Sequence, residues 1–286
     1  MDYSKPIEMS NEETRNKKKC NYLIWIIIIL SVLLTTSITL NIIQIVNTKS
    51  SPVIPIESII PVTPDISVKG IIMEKSAAWY NRSNDIQNSP YYPIINFYND
   101  SPSKTLKILP NFKTYQQSSP ISCGNAAAFM ALRYFGINNV TEFDLYKKAD
   151  TETDDGTNTV PLGEAIKSLA GFAVDVEYKT DDSILTPAQT LELVKMCTDS
   201  TNNMVLLLLS VELGGHWMTL IGYDDMGTSY TDDDVLIFAD PFDTTDHNQD
   251  GYYTISYERY FATWYLHNIG KEGQKVNQYV RIIKKS

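Results

Sequence analysis

Cys123, His216, Asp240 and Gln117 are the residues whose types and spacing add up to chemistry in this chain. Cys123 stands in Pro120-Ile121-Ser122-Cys123-Gly124-Asn125, at the start of an alanine-rich run that reads as a helix. Free backbone N–H groups and the helix dipole favour a thiolate there, the nucleophilic form of cysteine. Gly124 beside it leaves room for a substrate backbone to approach. Gln117 precedes the cysteine by six residues. Its side-chain amide and the Cys123 N–H would together hold a developing oxyanion. Gln116 is the neighbouring alternative for that donor. His216 opens an alternating segment after two glycines, and Asp240 ends the apolar run that begins at Val235, just before Pro241. A polar loop over residues 224–234 separates the two segments, which read as an antiparallel hairpin. Opposed residues in a hairpin are equidistant from its midpoint, and the midpoint of 216 and 240 is position 228, inside that loop. His216 and Asp240 are therefore expected as cross-strand neighbours, with Asp243 as the fallback partner. A carboxylate so placed fixes the tautomer and orientation of an imidazole.

The elements that must position these residues follow from periodicity. Helices are expected over residues 123–134, ending at Gly136, and over 141–149, 162–170 and 187–197, the last with Pro187 in its first turn. Strands are expected over 204–211, 217–223, 235–239, 252–256 and 276–283. Helices first and strands afterwards give an α+β class. The aromatics Tyr257, Tyr260, Phe261, Trp264 and Tyr265 recur at helical spacing, which suits core packing first and a cleft wall second. Asp232, Asp233 and Asp234 read as a solvated hairpin tip.

The N-terminal part has another character. Residues 22–46 form a largely apolar run without a charge, long enough for a helix to cross a bilayer. No small-residue cleavage site follows it, so an uncleaved signal anchor is expected. Arg15, Lys17, Lys18 and Lys19 precede the run, and the positive-inside bias puts residues 1–21 in the cytoplasm and the rest outside. Proline-rich residues 47–70 read as a stalk, and residues 71–106 as an extension with a short helix near Glu74 to Tyr80. Residues 47–106 thus connect the membrane to a domain at 107–286.

A net charge of −10 argues against nucleic acid as a partner. Three cysteines make no disulfide framework, and Cys197 reads as a buried thiol in a helix. Asp246 to Gly251 is similar to the first half of a calcium loop, but Tyr257 occupies the twelfth position where a glutamate is expected, so an ordinary turn is the reading. His247 and His267 read as surface residues. No metal or organic cofactor is called for.

Cysteine, histidine and aspartate in this order, with an upstream glutamine, resemble the papain-like arrangement. The stretches Gln117-Ser-Ser-Pro-Ile-Ser-Cys123-Gly, Gly215-His216-Trp-Met-Thr-Leu-Ile-Gly-Tyr-Asp and Ala239-Asp240-Pro resemble the bacteriocin-processing, double-glycine-leader peptidases and their stand-alone relatives, cysteine peptidase family thirty-nine. The resemblance covers roughly residues 107–267. It implies a papain-like fold, with a helix bearing the nucleophile and an antiparallel sheet bearing His216 and Asp240. It also implies a peptide or protein substrate. Members of that family often have Asp before the cysteine and Pro after the glycine, where this chain has Ser122 and Asn125. Transporter-linked members carry an ATPase and cut on the cytoplasmic side, so leader cleavage is not carried over. Hydrolysis of peptide bonds is the first expectation. Acyl transfer to an amine on surface or wall peptides, and a silent peptide-binding module of the same fold, stay open beside it.

Overall fold

The computed structural model describes residues 73, 75–77, 97–151, 156–181, 183–210, 215–243, 249–266 and 277–285. Several expectations fall wholly or partly outside these residues. They are the cytoplasmic tail, the membrane span at 22–46, the stalk, much of the helix near Glu74 to Tyr80, His247, His267 and the first half of the loop at Asp246 to Gly251. Among the described residues no helix is long and apolar enough to cross a membrane.

Among the described residues, seven strands make one antiparallel sheet. They are β1 (Leu106–Ile108), β2 (Val174–Tyr178), β3 (Met204–Ser210), β4 (His216–Asp224), β5 (Val235–Ala239), β6 (Tyr252–Ser256) and β7 (Tyr279–Lys284). The order is β2-β7-β3-β4-β5-β6, and β1 pairs with the far end of β4. The helices are α1 (Cys123–Tyr134), α2 (Glu142–Lys148), α3 (Thr159–Ala170), α4 (Pro187–Thr198) and α5 (Tyr257–Leu266).

Local signals account for most boundaries. Thr141 caps α2 through a reciprocal capping box with Asp144, and Thr186 does the same for α4 with Gln189. Pro187 occupies the first turn of α4, where its missing N–H costs no helical bond. The run Met204 to Leu209 is apolar at every position because both faces of the sheet are covered. Val205 and Leu207 join Trp217, Ile221, Ile237 and α1 in one core. Leu206 and Leu208 join Met218, Leu220, Phe238, α4 and α5 in the other. Tyr257, Tyr260 and Trp264 of the aromatic stripe on α5 are buried in this second core, and Phe261 packs against it.

The α+β order of helices followed by an antiparallel sheet holds, with two short strands outside it: β1 comes before α1, and β2 lies between α3 and α4. One expectation needs correction. Asp234 is not a solvated tip residue. It is buried, accepts a hydrogen bond from the Tyr223 hydroxyl, and its carbonyl accepts the Tyr257 N–H at 2.8 Å. Burial pushes its carboxyl upward. Asp232 and Asp233 are exposed as expected.

The packing of α3 on β2 leaves no space beside Gly163, where an added Cβ would overlap the Tyr178 ring. Gly163→Ala is therefore expected to destabilise the domain by about 1–3 kcal/mol. A urea midpoint unchanged from wild type would contradict that packing.

Candidate active site

Cys123 is the first residue of α1, with Ser122 at its N-cap. The N–H groups of a first helical turn have no intrahelical acceptor, which leaves the Cys123 amide able to bind an anion. Cys123 is 8% exposed. Gly124 has an internal reason that differs from the one expected. A Cβ there would come within 3.0 Å of the Trp217 indole and 3.3 Å of Leu162, so the glycine lets α1 settle onto the sheet. The Trp217 Nε1 hydrogen bond to the Thr157 carbonyl, 2.8 Å, fixes the indole.

His216 begins β4 directly after Gly215, whose φ of 122° favours glycine. Its Nε2 lies 2.6 Å from Asp240 Oδ1. That leaves Nδ1 for Cys123, the other group that acts on the imidazole. Burial of the imidazole opposes its charge. The Asp240 carboxylate and the hydrogen bonds to Asp240 and Cys123 outweigh that and push the imidazole up to about 10.

His216 and Asp240 are together, but by a different register from the one expected. The strand partner of His216 is Ser210 on β3. In the β4–β5 pairing Thr219 faces Ala239, so Asp240, one residue past the strand, continues toward Met218, two residues along from His216. Residues two apart on a strand share a face. This phase depends on a bulge: Leu220 pairs with Phe238 while Gly222 pairs with Ile237, leaving Ile221 as an extra residue in β4. Without it, Asp240 would fall in line with Thr219 and on the opposite face.

Asp240 is held from several directions. Its N–H donates to the Gly251 carbonyl at 2.8 Å, its carbonyl accepts from Gln116 Nε2 at 2.9 Å, and its Oδ1 also accepts the Phe242 N–H at 2.8 Å. Gly251 has φ 80°, and a Cβ there would sit 2.5 Å from Thr114, so no other residue fits easily. Asp243, the fallback partner, instead accepts the Gly251 N–H at 2.9 Å.

The two glutamines divide the work. Gln116 is a structural hub, since its Oε1 accepts the Asp243 N–H at 3.0 Å and a bond from Gln249 at 3.3 Å. Gln117 is 1% exposed, and its Nε2 donates to the Ser119 carbonyl at 2.8 Å, in the turn just before α1. An amide nitrogen carries two protons, and one remains for another acceptor.

The residue that sequence reasoning missed is Glu142, 2% exposed, in the first turn of α2. Its carboxylate accepts from Tyr115 Oη at 2.7 Å, Ser122 Oγ at 2.5 Å and the Ser118 N–H at 3.1 Å. Asn125, where the resemblance leads one to expect proline, donates to Thr151 and Thr157 at 2.9 and 3.0 Å. Cys197 is a free, buried thiol, and burial pushes it up to about 12. Among the described residues no group of three His, Cys, Asp or Glu side chains is disposed to hold a metal ion.

Similarity to known proteins bears on the same region. The peptidase domain of Streptococcus ComA, described as a bi-functional ABC transporter involved in a quorum sensing pathway, is 16% identical with a TM-score of 0.40. That match covers 61% of this chain and 99% of that one. UfSP from C. elegans is 12% identical with a TM-score of 0.40, over 66% of this chain and 36% of that one. No curated protein matches the sequence significantly. The profile of the Peptidase_C39 like family matches residues 109–268, a stretch that contains Gln117, Cys123, His216 and Asp240. The chain belongs to the Peptidase_C39 like family, and this region is a C39-like cysteine peptidase domain.

Proposed function

We propose that the chain is a membrane-anchored, extracytoplasmic cysteine peptidase that cleaves peptide bonds through a thioester on Cys123. The observation that carries this reading is the His216 Nε2–Asp240 Oδ1 contact of 2.6 Å, with Cys123, at the start of α1, acting on the same imidazole. In the proposed cycle the Cys123 sulfur, as thiolate, attacks the scissile carbonyl carbon. The resulting oxyanion accepts hydrogen bonds from the Cys123 N–H and the second proton of Gln117 Nε2. The intermediate collapses, and the His216 imidazolium gives its proton to the departing amine. His216, now neutral, takes a proton from water as the water oxygen attacks the thioester. The acid product leaves, and the thiolate and imidazolium are restored. Asp240 orients the ring and stabilises its positive charge without taking the proton. The scheme uses no metal or cofactor.

The location rests on residues 22–46 as the membrane partner and on the basic cluster Arg15 to Lys19 before them. Protease added to intact cells should then degrade the peptidase domain and spare residues 1–21. A protected domain would reverse the orientation.

Cleavage of a peptide library by the full chain in detergent, lost in Cys123→Ala, is the test of the activity. Products ending in a free carboxylate mark hydrolysis. Turnover that survives Cys123→Ala would sink the assignment. Gln117→Ala should lower kcat by a factor on the order of 10²–10³ with KM little changed. Gln116→Ala should act through stability, since it strips partners from buried groups at a cost of about 1–3 kcal/mol each.

The His216 imidazolium is the proton donor, so activity is present below its titration and lost as pH rises through about 10. Asp240 favours the charged form, so Asp240→Ala should move this alkaline limb to lower pH and reduce kcat. Asp240→Asn should keep more activity than Asp240→Ala, because an amide oxygen still accepts from the ring, and His216→Ala should keep least. An alkaline limb that does not move in Asp240→Ala would remove Asp240 from its assigned task.

A further inference from the structure

The loop before α1 contains a buried carboxylate that the proposed cycle does not use. Glu142 reaches it from α2 and bonds it on both sides of Gln117. On one side it accepts from the Tyr115 hydroxyl at 2.7 Å. On the other it accepts from the Ser118 N–H at 3.1 Å and the Ser122 hydroxyl at 2.5 Å. Ser122 Oγ has a single proton, and the shortest of its contacts directs it to Glu142. The oxygen is then free to accept the Ser119 N–H, 3.2 Å away. The Ser119 carbonyl in turn receives Gln117 Nε2 at 2.8 Å. Glu142 therefore governs the residue after Gln117, the turn that its amide grips, and the N-cap of the helix bearing Cys123.

These bonds are made by a group with 2% exposure, so the acceptors are not replaced by water as they would be at a surface. Hydrogen bonds to a carboxylate are stronger than neutral ones. A loop rich in serine has many hydroxyl conformations of its own, and one buried acceptor selects among them.

We propose that Glu142 is a positioning residue for the oxyanion donor, acting through Gln117 by fixing residues 115–122. The proposal rests on the assignment of Gln117 made above. It touches neither substrate nor the reacting atoms.

The test is a double-mutant cycle on the full chain in detergent, using a quenched-fluorescent peptide selected from the library by the wild-type protein. Glu142→Ala should lower kcat by roughly tenfold or more with KM little changed. Glu142→Gln, which keeps an acceptor oxygen and the shape, should recover most of that loss. In a Gln117→Ala background, Glu142→Ala should change kcat by less than about twofold, because the group it positions is gone. Alkylation of Cys123 by iodoacetamide develops no oxyanion, so its rate should stay at the wild-type value in Glu142→Ala. Should Glu142→Ala fail to fold, Tyr115→Phe removes one bond to the carboxylate, and Ser122→Ala removes another together with the acceptor of the Ser119 N–H; both keep the carboxylate itself, and the same non-additivity with Gln117→Ala is expected of them. Multiplicative losses of kcat, or a parallel fall in the alkylation rate, would make Glu142 a general structural residue and overturn the proposal. If Gln117→Ala alone leaves kcat unchanged, the donor assignment fails and the proposal falls with it. A fall in Gln117→Ala combined with multiplicative behaviour sinks the Glu142 proposal alone.

Discussion

A charged imidazole 4% exposed to solvent is the constraint around which this domain is arranged. Removing such a charge from water costs several kcal/mol, and only a close counter-charge with good geometry offsets it. Asp240 supplies that charge, and its own placement is controlled by three contacts, two of them from other segments of the chain. The Gly251 carbonyl takes its N–H, Gln116 takes its carbonyl, and the Phe242 N–H shares its carboxylate oxygen with the ring. Gln116 belongs to the loop before α1, and Gly251 lies just before β6. The ion pair therefore joins the helix-side loop to the sheet side of the domain. A small error in any of the three would leave a buried charge without its partner.

How much of this was legible depends on how local each cause is. The limits of α1 follow from the alanine run, the preceding Ser122 and the stop at Gly136, all within one short stretch. β5 and β6 have the expected limits because their apolar character changes sharply at each end. β1 was missed because three residues carry no period. β2 does alternate, Val174-Asp-Val-Glu-Tyr178, but it is short and lies among helices, and its partner β7 is a hundred residues away in sequence.

The site shows the same division. Residue type and spacing pointed to Cys123, His216, Asp240 and Gln117. The purpose of their neighbours was not local. Glu142 looks like an ordinary acidic residue in a first helical turn, where the dipole favours it. Only the folded chain brings it to Ser118 and Ser122. Gly124 looks like clearance for a substrate, and only the position of Trp217 gives its internal reason. The hairpin argument placed His216 beside Asp240 from loop symmetry, whereas the pairing reaches the same contact diagonally through a bulge next to Gly222, a strand glycine of the kind that marks such irregularities.

That bulge divides the hairpin by its tolerance of added and lost residues. The phase linking His216 to Asp240 is set by Ile221, inside β4. Residues 225–234 lie beyond the last paired residues and play no part in it. The connection can therefore lengthen or shorten without turning the carboxylate away from the ring. One residue gained or lost between His216 and Ile221, or between Val235 and Asp240, instead sends the carboxylate to the other side of the sheet. Sequence comparisons of this region should accordingly find gaps in the connection and a fixed count along each paired segment.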